Sequence, residues 1–112
     1  MKPKVPRPWR VIDVPLYGGQ VAIYTDRLRM IKALHGLSVD AEVGAEGGSC
    51  LPLERTDGVI YLAGWYDGKR PTLVHEMAHA SLFILTRAGI DPRDSQGEAF
   101  AYLLEHLVNE LL

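Results

Sequence analysis

Thr72-Leu73-Val74-His75-Glu76-Met77-Ala78-His79-Ala80 is the stretch on which the reading of this chain turns. It is an apolar, helix-compatible run carrying His-Glu-x-x-His. Residues four apart on a helix share a face one turn apart, so His75 and His79 can present two imidazoles to one metal ion. Glu76 is rotated by about 100° from His75, near enough to reach a water at that metal without binding it. Two neutral nitrogens, an adjacent base and an open coordination position are what a hydrolytic zinc site requires.

Outward from this stretch, the spacing predicts a helix from Pro71, a favoured first helical residue, to about Ala88, with Gly89 as the stop. Leu73, Val74, Met77, Ala80, Ser81, Ile84 and Leu85 give it a broad apolar surface. Two histidines and a glutamate on a helix of that kind need polar partners, which a metal would supply. Asp91-Pro92 marks a turn. A last helix is predicted from about Ser95 onward, with Ala99, Phe100, Leu103, Leu104, Leu107, Val108 and Leu111 as its core face.

Before the metal helix the chain reads as strands and one helix. Strands are predicted over Trp9–Val14, Val21–Tyr24, Ser49–Leu53 and Val59–Ala63, the last being the most β-branched and aromatic. Gly18-Gly19 suggests a hairpin between the first two. A helix from Asp26 to about His35 is expected to be capped by Thr25 and stopped by Gly36. Residues 37–48, with Gly44, Gly47 and Gly48, read as a loop, either a plain connector or a segment near the substrate. The expected fold class is therefore α+β, a small, mostly antiparallel sheet packed on helices. An extended lead-in over 1–8, with Pro3, Pro6 and Pro8, precedes one domain over 9–112.

Composition narrows the function. Nearly half of the 112 residues are hydrophobic and the net charge is −2 with the two signs interspersed, which argues against nucleic acid as a main partner. No apolar run approaches the length of a membrane span and no secretory leader follows the basic start, so a cytoplasmic protein is expected. Cys50 is the single cysteine, leaves no internal disulfide, and reads as a small buried hydrophobe. The sequence leaves the oligomeric state open.

A catalytic zinc needs a third protein ligand. Downstream candidates are Asp91, Asp94, Glu98, Glu105 and His106, of which Glu98 is preferred. The 18 residues between His79 and Glu98 let one helix end, turn, and bring the next back antiparallel. The alternative is that Ser95-Gln96-Gly97-Glu98 is a capping box, with Glu98 bonded back to the Ser95 amide. Tyr102, one turn beyond Glu98, is either an oxyanion donor or a core or rim tyrosine. His106, two turns beyond, is either a surface residue or one that supports the site.

The pattern His-Glu-x-x-His followed by Gly97-Glu98-Ala99-Phe100-Ala101 resembles the glutamate-zincin (gluzincin) metallopeptidases. From Val59 onward the chain looks like small metallopeptidases encoded by phages and prophages, and is similar in kind to the ImmA/IrrE-type peptidases. Tyr17-Gly18-Gly19 and Gly89–Ser95 support the same likeness. The resemblance implies a minimal zincin-like core and one Zn2+ per chain, held by His75, His79 and Glu98. It implies Glu76 as general base and a peptide or protein as substrate. It also implies that an extended peptide adds to the strand before the metal helix, here Ile60, Tyr61, Leu62 and Ala63. Trp65 and Tyr66, which follow that strand, either line the cleft or pack in the core. The chain departs from the larger gluzincins at Tyr102, where they carry a carboxylate that supports a zinc histidine, and nothing after the last helix matches their oxyanion donor. The expectation is a zinc-dependent peptidase; the alternative is a catalytically weak or inactive metal-binding accessory protein that works by protein–protein binding.

Overall fold

Alternation along the strands divides the interior into two cores, one on each face of a single sheet. The computed structural model describes residues 5–44 and 46–112, so the first four residues of the lead-in expected over 1–8 lie outside the described residues. The element order is β1 (Arg10–Asp13), β2 (Gln20–Tyr24), α1 (Arg27–Gly36), β3 (Gly48–Arg55), β4 (Gly58–Trp65), α2 (Arg70–Arg87) and α3 (Asp94–Leu111). The class is α+β, as expected: three helices and a four-stranded, mostly antiparallel sheet.

The sheet order is β1-β2-β4-β3. β1 and β2 are antiparallel neighbours, as are β3 and β4, while β2 and β4 are parallel, with Ala22 opposite Leu62. Val21 and Ile23 of β2 and Val59, Tyr61 and Ala63 of β4 point to one face and pack with Leu73, Met77, Ala80 and Ile84 of α2 and Leu103 and Leu107 of α3. The intervening Ala22, Tyr24 and Leu62 point to the other face and meet Met30, Ala33 and Leu34 of α1. A period of two on the strands thus gives three layers, with the sheet between α1 and the α2–α3 pair.

Turn chemistry fixes the strand ends. Gly19 sits at φ +85°, and a side chain there would place its Cβ 2.6 Å from Cγ1 of Val59 and 2.9 Å from the Val59 carbonyl oxygen. Only glycine serves both demands. Asp26, not Thr25, caps α1: its carboxylate accepts from the Leu28 amide at 2.8 Å. Gly36 stays helical, and the left-handed residue past α1 is Ser38 at φ 60°. α2 starts and stops as its sequence indicates, with Pro71 in the first turn and Gly89 at φ 75° just past its end.

The second boundary that differs is the start of α3. Ser95, Gln96 and Gly97 have φ/ψ of 52°/41°, 61°/29° and 79°/21°, a left-handed turn, and regular helix begins at Glu98. No side chain caps this end, so the Ser95–Glu98 capping box is not formed. Among the described residues, no helix is long and apolar enough to cross a membrane.

Candidate metal centre

α2 lies over β3 and β4, and its roll about its axis is set by the buried row Leu73, Met77, Ala80 and Ile84. That roll sends His75, His79, Leu82 and Thr86, at spacings of four, three and four, to solvent. The two histidines are therefore on the exposed stripe of the helix and not inside its buried surface. Glu76, one residue round, is turned towards the sheet edge and is only 5% exposed.

The Nε2 atoms of His75 and His79 are 3.1 Å apart, and the rings stand edge to face at 80°. One ligand atom from each of His75, Glu76 and His79 lies within 4.8 Å of the other two. Two nitrogens on a tetrahedral zinc ion are roughly 3.3 Å apart, so the donor types and their spacing fit one such ion. Burial raises the Glu76 carboxyl above its ordinary value, against a smaller downward pull from His75 and His79.

Beside these groups is a cleft of about 420 Å3 whose walls are Glu46, Gly47, Gly48, Asp67, Pro71, Thr72, His75 and Glu76. The approach of Glu76 to β3 depends on Gly48: a Cβ there would lie 2.7 Å from Oε2 of Glu76 and 2.8 Å from the Gly64 carbonyl oxygen. Asp67 ties the opposite wall. It accepts from the Lys69 amide at 2.8 Å and from the Thr72 hydroxyl at 2.6 Å, and these bonds hold its carboxyl below the usual range. The Tyr66 amide donates to the Gly47 carbonyl at 2.7 Å, and the Tyr66 and Ser49 hydroxyls are 2.7 Å apart, so the turn before α2 is stitched to the start of β3. Cys50 follows on β3, half-buried against the core, and burial together with the Glu76 carboxylate pushes its thiol up to about 12.

Glu98 is not part of this group. Leu103, Leu107 and Leu111 bury one side of α3, and Glu98, nine residues before Leu107, falls about 180° away around the helix. It stands exposed on the same side as Ala101, Tyr102 and Glu105. The structure brings together His75, Glu76 and His79, and leaves the expected third ligand outside. Tyr102 is 51% exposed and stacks on His106 at 6.4 Å. His106 lines a separate cleft with Val11–Pro15 and Glu110, on the β1 side of the sheet, so it does not support the metal group.

The expected substrate strand is corrected by the topology. β4 is hydrogen-bonded to β2 on one side and β3 on the other, so Ile60, Tyr61, Leu62 and Ala63 have no free backbone edge to offer. Tyr61, Leu62 and Ala63 are at most 1% exposed. The edge strand next to α2 is β3, with exposed Pro52 at its middle. Trp65 packs against Trp9 with ring centroids 5.8 Å apart and planes tilted by 52°, and donates its indole N–H to the Lys69 carbonyl at 2.8 Å, which makes it a brace for the start of α2.

Glu46, Gly48, Asp67 and Thr72 are the residues that sequence reasoning missed as part of the site. Their signals were the Gly47-Gly48 pair, in the loop expected to be either a connector or a segment near the substrate, and an acid five residues ahead of a threonine at the helix start. Comparison of the chain with protein-family profiles, with curated proteins and with solved structures returns no significant match.

Proposed function

We propose that this chain is a small zinc-dependent peptidase whose reaction centre is His75, Glu76 and His79. One observation carries the reading: two imidazole nitrogens 3.1 Å apart beside a carboxylate that is almost fully buried yet opens to a cleft. A carboxylate kept from water, with its proton affinity raised by burial, is suited to taking a proton and returning it.

His75 and His79 would hold the ion; Glu98, the third ligand that the resemblance implies, stands outside their group. When bound, the metal supplies Lewis acidity to the attacking water and to the scissile carbonyl. Glu76 accepts the proton of that water as it attacks and delivers it to the departing amine. Extended substrate falls to the open edge of β3, where backbone hydrogen bonds can extend the sheet towards the cleft. Asp67 and the Gly47-Gly48 pair shape the wall that such a peptide meets.

A second reading, a metal-binding accessory protein without turnover, is favoured by the position of Glu98 outside the group. Glu76→Gln separates the two. With zinc content and fold retained, loss of cleavage of a peptide library supports the peptidase. Equal cleavage by the wild type and the variant overturns Glu76 as base. Zinc binding with no cleavage by the wild type supports the accessory reading.

A further inference from the structure

We propose that the cleft beside the histidines selects a cationic group of the substrate through Glu46 and Asp67. That group is the side chain of a lysine or arginine next to the cleaved bond, or a free amino terminus there. This rests on the peptidase reading above and names the class of peptide that the same site takes.

Three carboxylates border this cleft, from Glu46, Asp67 and Glu76, and among the described residues no lysine or arginine lines it. Asp67 and Glu76 come in because the chain carries no side chain at Gly47 and Gly48. A Cβ at Gly47 would collide with Oδ2 of Asp67 and lie 2.8 Å from its Cγ, as one at Gly48 would lie 2.7 Å from Oε2 of Glu76. Like charges gathered in one place repel, so the arrangement is relieved when a positive group joins it. Glu76 is an independent sign that a guest belongs here. It is 5% exposed, no group among the described residues donates a hydrogen bond to it, and it borders the cleft. A carboxylate so far removed from water and without a partner calls for one from outside the chain.

The three acids divide the work. Glu76 serves the reaction, while Glu46 and Asp67 lie outside the group of His75, Glu76 and His79 and are left to receive the charge of the substrate. His75 and Glu76 border both the cleft and the reaction centre, so a group that enters the cleft belongs to a residue next to the reacting bond. Asp67 is a preset acceptor. The Lys69 amide and the Thr72 hydroxyl each hold one of its oxygens and keep the carboxyl ionised, and a group fixed beforehand loses little freedom on binding. The chain does not use up these charges itself. Arg27 donates to the Val43 and Gly44 carbonyls at 2.6 and 2.8 Å, and Lys69 is within electrostatic reach of Asp67 without pairing with it. Among the described residues the ion pairs are Arg87–Glu54 and Arg93–Asp91.

The test is a selectivity ratio. The zinc-loaded protein is given N-acetylated peptides that differ only in carrying lysine or norleucine, beside norleucine peptides with a free amino terminus. The lysine peptide should be preferred by roughly tenfold in kcat/KM. The double variant Glu46→Gln, Asp67→Asn keeps side-chain size and removes both charges, and should bring the ratio close to one. Glu46→Gln alone, at an exposed side chain, should still lower the ratio if the double variant fails to fold. A preference for the free amino terminus that the double variant removes supports the cation site and places the chain end in it. No preference for either cation, or one that survives the double variant, overturns the proposal and leaves the peptidase standing. Binding of the same peptides to Glu76→Gln, followed by the shifts of the Gly47 and Gly48 amide resonances, needs no turnover. If the wild type cleaves nothing, tighter binding of a cationic peptide that depends on Glu46 and Asp67 keeps the cation site while the peptidase reading falls, and equal binding overturns both.

Discussion

Gly48→Ala probes the contact on which the site's geometry rests. The added Cβ would sit 2.7 Å from Oε2 of Glu76, 2.9 Å from its Cγ and 2.8 Å from the Gly64 carbonyl oxygen. Glu76 can swing, but the Gly64 oxygen belongs to the ladder between β3 and β4 and cannot retreat without disturbing it. Overpacking of this kind costs about 1–3 kcal/mol. For a domain near 100 residues that is a fall in Tm of roughly 4–20 °C, well within reach of a melt followed by circular dichroism. Displacement of Glu76 should also lower peptide cleavage by on the order of a hundredfold, as an ångström of misplacement does. Gly68→Ala is the control: Gly68 is at φ +70° with open space around it, so it should show only the backbone penalty of about 1 kcal/mol. Combining Gly48→Ala with Glu76→Ala should recover part of the lost stability, since one of the two obstacles is then gone. A Gly48→Ala protein that melts with the wild type would refute the placement of Glu76 against β3.

Other outcomes follow from the same geometry. The raised Glu76 carboxyl means that the folded chain holds this proton more tightly than the unfolded one. Its contribution to stability is therefore present below the ordinary value of 4.5 and is lost as pH rises through the folded value. Metal-free Glu76→Gln should accordingly gain on the wild type as pH rises above 4.5, and a gap that does not change with pH in denaturant titrations would contradict this. The Cys50 thiol, pushed up to about 12, should react slowly with a thiol reagent at mildly alkaline pH and rapidly after unfolding; fast labelling of the folded chain would show that β3 leaves it accessible. Leu107→Ala, at a side chain with no exposure, should cost about 2–5 kcal/mol in chemical denaturation, and a cost near zero would mean that α3 is not packed as described.

Much of the fold was legible because each element carries its own period. β4 reads as a strand from Val59, Ile60, Tyr61 and Leu62, and α2 reads as a helix from its apolar row and from Pro71 and Gly89. What local patterns do not encode is order across the sheet. Nothing within β4 says that β2 lies on its far side, and that parallel pairing removes the edge on which the expected peptide contact depended. The roll of α2 is a second case. Leu73, Met77, Ala80 and Ile84 outweigh the other apolar residues, so the histidines face solvent, and only Glu76 is buried. The pair at positions four apart was visible from helix geometry alone. The position of Glu98 was not, because the torsions of Ser95–Gly97 oppose the preferences of Ser95 and Gln96.

An open sheet edge is also a template on which a second copy of the chain can polymerise. β3 presents such an edge, and Pro52 stands exposed at its middle without an N–H to donate. A foreign strand laid along Gly48–Arg55 meets a gap in the ladder halfway, and any continuous pairing is confined to Gly48–Leu51, the half that leads into the cleft. One proline therefore guards against fibrillar growth at high concentration, while the stretch of edge beside Glu76 stays usable for a short guest.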